Sequence, residues 1–162
     1  MRYKFWGAFI LAFLVSATGY SQASNPMKID EFDSINCEEY LARMDAAMIQ
    51  AKSNPTSQVF VYIYEGNVNR SKFQMDGTYS VKSVPPEYGL ANARIRSMKK
   101  FLAIRKISLD QFRFVNAGFR KDFTVEMWLV PKGGTEPKST PTLTKMKYRK
   151  GKPLGFCLSC EC

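Results

Sequence analysis

The feature that most constrains this chain is the run Val59-Phe-Val-Tyr-Ile-Tyr64, which follows Gln58 without a polar break. β-branched and aromatic residues in such a run favour a strand. Apolar side chains at every position, rather than at alternate ones, require cover on both faces of that strand. The run is therefore expected to be the central strand of a sheet. Glu65-Gly66-Asn67 interrupts the pattern, and the strand is expected to end there.

Two helices are expected to flank it. Cys37, Leu41, Met44, Met48 and Ala51 share one helical face, with Ser34 or Asn36 available as cap and Asn54-Pro55 as terminator. Leu90, Ala91, Ile95, Met98 and Leu102 line a second helix, whose other side carries Asn92, Arg96, Lys99 and Lys100. Arg94 falls at the edge of its apolar stripe. Between the first strand and this helix, residues 68–87 follow no clear pattern; Asp76-Gly77 is a turn signal, and Phe73–Val84 reads either as a ragged hairpin or as an irregular loop. Two strands follow, Phe112–Asn116 and Phe123–Val130, with a turn-like break at Gly118–Asp122 between them. In the second, Phe123, Val125, Met127 and Leu129 make the expected core face. The fold class is α/β in the α+β sandwich sense. The expected order is helix, strand, irregular segment, helix, strand, strand, with two helices on a small mixed sheet.

The ends divide the chain further. Arg2 and Lys4, the short apolar stretch Phe5–Ala17 and Ser21-Gln22-Ala23 have the pattern of a secretory signal peptide over residues 1–23. That stretch is too short for a comfortable membrane span, so stable membrane insertion is not expected after cleavage. Residues 24–131 form a single α/β domain, since about 139 residues remain and suffice for one modest core. Residues 132–162, with Gly133-Gly134, Pro137, Pro141 and a basic run from Lys145, read as an extended linker and a Cys-rich tail. The expected location is periplasmic or extracellular.

Lys and Arg number 24 against 14 Asp and Glu; without Arg2 and Lys4 the balance is 22 to 14, or +8. That surplus favours anionic partners such as wall polymers or lipid head groups. Nucleic acid is not expected, given export and the lack of zinc-finger spacing or an RNA-binding sheet motif. The sequence has no histidine. This removes the commonest general base and excludes Ser–His and Cys–His nucleophilic sites. No Gly-rich phosphate loop is present either. The chain is read as a non-enzyme with no cofactor. Cys37, Cys157, Cys160 and Cys162 make an even count, which in an exported protein points to disulfides. A four-thiolate metal site and free or intermolecular thiols are the alternatives, and no metal site is assigned.

The stretch Leu90-Ala-Asn-Ala-Arg94-Ile-Arg-Ser-Met98-Lys-Lys-Phe101-Leu102 resembles the helix motif of the OmpA-like C-terminal domain, the peptidoglycan-associating module of bacterial envelope proteins. That motif reads Leu-Ser-x-x-Arg-Ala-x-x-Val-x-x-Tyr-Leu. Ile107 and Phe112 keep its spacing into the next strand, and Phe123-Thr-Val-Glu-Met is similar to its closing strand. In the family, an Asp after the first strand and the helix Arg clasp the diaminopimelate of the wall peptide. Arg94 matches that Arg. Glu65-Gly66-Asn67 stands where the Asp-bearing segment is expected, and Phe123 and Thr124 replace the family's paired arginines. The resemblance thus implies an envelope module that binds peptidoglycan or another anionic wall component through Arg94, Glu65 and Asn67. The alternative is a secreted protein–protein interaction domain stapled by its C-terminal cysteines.

Overall fold

The computed structural model describes residues 25–151. The expected signal peptide over residues 1–23, and Cys157, Cys160 and Cys162, lie outside the described residues. In chain order the elements are strand β1 (Met27–Phe32), helix α1 (Cys37–Ser53), strand β2 (Ser57–Phe73), strand β3 (Tyr79–Val84), helix α2 (Leu90–Ile104), a 3-10 turn at Leu109–Gln111, strand β4 (Phe112–Asp122) and strand β5 (Thr124–Pro131). Two helices and five strands make a mixed α+β fold, as expected. The leading strand β1 was not anticipated: its Met-Lys-Ile-Asp-Glu-Phe has only a weak alternation. None of the helices among the described residues is long and apolar enough to cross a membrane.

β2 is the central strand. β5 pairs with it antiparallel, from Ser57↔Pro131 to Tyr64↔Thr124, and β1 adds to the far side of β5. β4 pairs with β2 in parallel, from Val59↔Phe112 to Asn67↔Asp122. Consecutive strands β4 and β5 therefore lie on opposite edges of β2, and the chain between them must cross it. It crosses at Gly66. A Cβ there would fall well under 3.0 Å from the Asp122 carbonyl and the Phe123 nitrogen. Only a residue without a side chain admits so close a backbone. Phe123 N–H donates to the Asn67 carbonyl at 2.9 Å and fastens the crossing.

This corrects the expectation that Glu65-Gly66-Asn67 ends the strand. β2 runs on to Phe73, 17 residues in all from Ser57. The glycine marks a crossing chain, not a turn. The expected break at Gly118–Asp122 is also absent as a break. β4 runs through it, with Gly118 at φ 95° where the register against β2 slips, as in a bulge.

The first face of the sheet carries Val59, Val61, Ile63, Val125, Met127 and Leu129, all buried under the two helices. Phe123 also points into this core, as expected. α1 contributes Tyr40, Met44, Ala47, Met48 and Ala51; Asn36 caps it by accepting from Glu39 N–H at 2.9 Å. α2 contributes Leu90, Ala91, Ala93, Met98 and Leu102. Ile95 is only half-buried.

The second face carries Phe60, Tyr62, Tyr64, Ala117 and Val130. No helix covers it. Residues 132–149, expected as a linker, lie across it as an irregular strap. Tyr62 donates its hydroxyl to the Pro137 carbonyl at 2.5 Å, and Thr140 N–H donates to the Tyr64 hydroxyl at 3.0 Å. Thr142 and Leu143 N–H groups both donate to the Phe119 carbonyl, and Arg149 N–H to that of Pro86. The physical reason is the one that defines β2: an apolar strand needs cover twice. Tyrosine hydroxyls let an irregular segment supply that cover without orphaning its backbone groups.

Candidate functional site

Of the residues implied by the family resemblance, Arg94 and Asn67 both reach Phe123, whereas Glu65 is bonded elsewhere. Arg94 extends from α2 so that its guanidinium carbon lies 5.4 Å from the Tyr40 ring centroid and 5.8 Å from that of Phe123. Phe123 is bonded to Asn67 through the backbone. The crossing chain thus joins the β2 segment to the helix arginine. Burial lowers the Arg94 pKa from its ordinary value. The Tyr40 hydroxyl is pushed up to about 12 by burial, which the Arg94 charge partly offsets.

Glu65 is already engaged. It is 3% exposed. One carboxylate oxygen accepts from Ala91 N–H at 2.9 Å and the other from the Tyr148 hydroxyl at 2.5 Å. The cap position of α2 is Gly89, which has no side chain to satisfy the first-turn N–H groups. Glu65 does so from the neighbouring strand, placing its negative charge at the positive end of the helix. Burial raises the Tyr148 pKa, and its bond to Glu65 adds to the effect. The chain's own carboxylate therefore sits where a bound anion would sit at this helix terminus. The Asn67 side chain is half-buried. Cys37 opens α1 and is half-buried against the core; Cys157, Cys160 and Cys162, its candidate partners, lie outside the described residues.

A second polar cluster, not anticipated from the sequence, lies under the strap. Glu126 is 4% exposed. One of its oxygens accepts from Arg120 at 2.8 Å and Lys28 at 3.1 Å; the other accepts from Trp128 Nε1 at 3.2 Å and the Tyr64 hydroxyl at 3.3 Å. The Arg120 guanidinium stacks 3.7 Å from the Tyr64 ring centroid and also reaches Thr140. Burial alone would raise the Glu126 pKa, but the bonds from Arg120, Lys28 and Trp128 outweigh it and lower it. An acid held ionised by four donors locks the strap to the sheet and is poorly suited to proton transfer. Its only sequence signal was Glu126 alternating with Trp128 and Val130.

The third feature is an arm. Beyond Asn67, β2 pairs only with β3 among the described strands, from Val68↔Val84 to Phe73↔Tyr79. Of the two readings of Phe73–Val84 the hairpin is the one found, and its ladder starts earlier, at Val68. Gly77, at φ 82°, turns the chain, and Asp76 accepts from Thr78 N–H at 2.9 Å and its hydroxyl at 2.7 Å. Directly paired residues share a face. Phe73, Tyr79, Ser71 and Val81 thus occupy one face, and Arg70, Lys72, Ser80 and Lys82 the other. At the arm's root the basic face passes into Val68 and Val84, which pack on the core. Among the described residues the apolar face has no such cover. Phe73 is 62% exposed, Tyr79 72%, Val81 65% and Met75, in the turn, fully exposed. Phe73 and Tyr79 meet edge to face at 5.2 Å.

No family model, curated protein or solved structure matches the chain.

Proposed function

We propose that this chain is an exported bacterial envelope protein that works by binding, with the β2–β3 arm as its contact element. The observation that carries the reading is the contrast in cover. Both faces of the sheet are closed, one by helices and one by the strap, whereas four large apolar side chains stand in solvent on the arm. Clustered exposed apolar residues on a projecting element mark an interaction site. Retention of the purified protein on a total envelope fraction, membrane plus wall, tests the proposal. The double variant Phe73→Ser/Tyr79→Ser should lose most retention while keeping its circular dichroism spectrum. Undiminished retention of that variant would sink the reading.

A clasp for diaminopimelate is the second reading. What favours it is that Phe123 links Arg94 and Asn67: its ring lies 5.8 Å from the Arg94 guanidinium carbon and its N–H donates to the Asn67 carbonyl. Against it stands Glu65, already committed to Ala91 and Tyr148. Free diaminopimelate should displace the protein from purified peptidoglycan on this reading, and Arg94→Ala should weaken retention there. If neither happens, the clasp is not in use.

A further inference from the structure

We infer that the occupant of the arm's apolar face is the surface of an anionic phospholipid bilayer. The inference rests on the arm being the contact element. Three observations carry it. The first is segregation. Pairing register puts Phe73, Tyr79 and Val81 on one face and Arg70, Lys72 and Lys82 on the other. An element built this way lies in the plane of an interface, with its apolar face at the acyl boundary and its cations at phosphate level. Phenyl and phenol rings suit that depth.

The second is charge. Along residues 68–84 there are three cations against one acid, Asp76. At the root, Arg70 and Arg149 both pair with Glu87, and exposed Lys147 and Lys150 flank Arg149 in the strap. The arm thus rises from a basic base, and two basic side chains there meet a single carboxylate. A negative surface within a Debye length would attract the whole group.

The third is shape. The arm is a projecting ribbon that offers four apolar side chains. That falls short of the roughly 800 Å² a partner usually commits to a stable protein interface. Reversible adsorption to lipid needs less area, because cations and apolar insertion add. Lying flat also leaves the Asp76 carboxylate, tied to Thr78, out of the hydrocarbon.

The test uses the full chain and vesicles of phosphatidylcholine alone or mixed with phosphatidylglycerol. The protein should sediment with the mixed vesicles, not with phosphatidylcholine, and release as salt rises. A Met75→Trp variant should show blue-shifted emission on binding and quenching by brominated lipid. Phe73→Ser/Tyr79→Ser should weaken binding at least tenfold, and Lys72→Glu/Lys82→Glu should do the same. Vesicle binding that survives Phe73→Ser/Tyr79→Ser would overturn the inference, since another basic surface would then be responsible. Arm-dependent retention on delipidated wall or protein, with no vesicle binding, would overturn the lipid while leaving the arm as contact element. Arm-dependent dimerisation in velocity sedimentation, again without vesicle binding, would assign the face to a second copy and overturn it equally.

Discussion

β2 is one strand in two environments. From Val59 to Tyr64 every side chain is buried, with helices on one face and the strap on the other. From Asn69 to Phe73 it pairs on one edge only, with β3, and every residue is exposed. The halves therefore differ both in backbone pairing, two partner strands against one, and in cover. The boundary is Gly66, where the crossing of Asp122 and Phe123 ends the flanking strands and leaves β2 to run on with β3 alone. An isolated two-stranded ribbon is marginal in water. This one borrows its stability from a strand anchored in the core.

The comparison makes graded predictions. Ile63→Ala, within the buried half, should cost about 4 kcal/mol by urea denaturation, because transfer and cavity terms both apply. Gly66→Ala should cost about 3 kcal/mol, since the new methyl meets backbone that cannot rotate away. Normal stability for Gly66→Ala would mean that the crossing does not set the boundary. Glu126→Gln should cost about 2 kcal/mol by removing the acceptor of a charged network, and it also changes the pH response. The folded Glu126 pKa is below its ordinary 4.5. Its contribution is therefore complete above that value and is lost as pH falls through the folded value. The wild type should lose urea resistance over that acid range, and Glu126→Gln should lose less. Smallest of all, Phe73→Ser should change stability by under about 0.5 kcal/mol. A cost matching that of Ile63→Ala would erase the distinction between the halves.

The legible parts of the sequence were those with one dominant local cause. α1 begins at Cys37 and is capped by Asn36; α2 begins at Leu90; and Val125, Met127 and Leu129 face the core. Periodicity and caps suffice for these. Gly66 was misread because a glycine that ends a strand and one that admits a crossing chain look alike without a partner in view. The strap was misread for a related reason. Pro, Gly and Lys in residues 132–149 resemble a linker, and their cover for Tyr62 and Tyr64 comes from contacts some 75 residues apart. Of the candidate site the sequence offered residues but not their partners. Arg94 and Asn67 both reach Phe123, and nothing local foretold that Glu65 would cap α2 from another element. The arm's two-faced pattern was visible around Asp76-Gly77 once paired, but pairing register is not a local property.

The strap also sets an order of assembly. Tyr62 and Tyr64 are made early, and the residues that cover them arrive some seventy positions later. The crossing over Gly66 imposes the same sequence, because Asp122 and Phe123 can be laid down only on a strand already in place. A chain emerging from its N-terminus must hold an aromatic face open until residues 132–149 follow. Contacts so distant slow folding. During that interval the open face is the part of the molecule most exposed to mispairing, and a holding chaperone would find its target there.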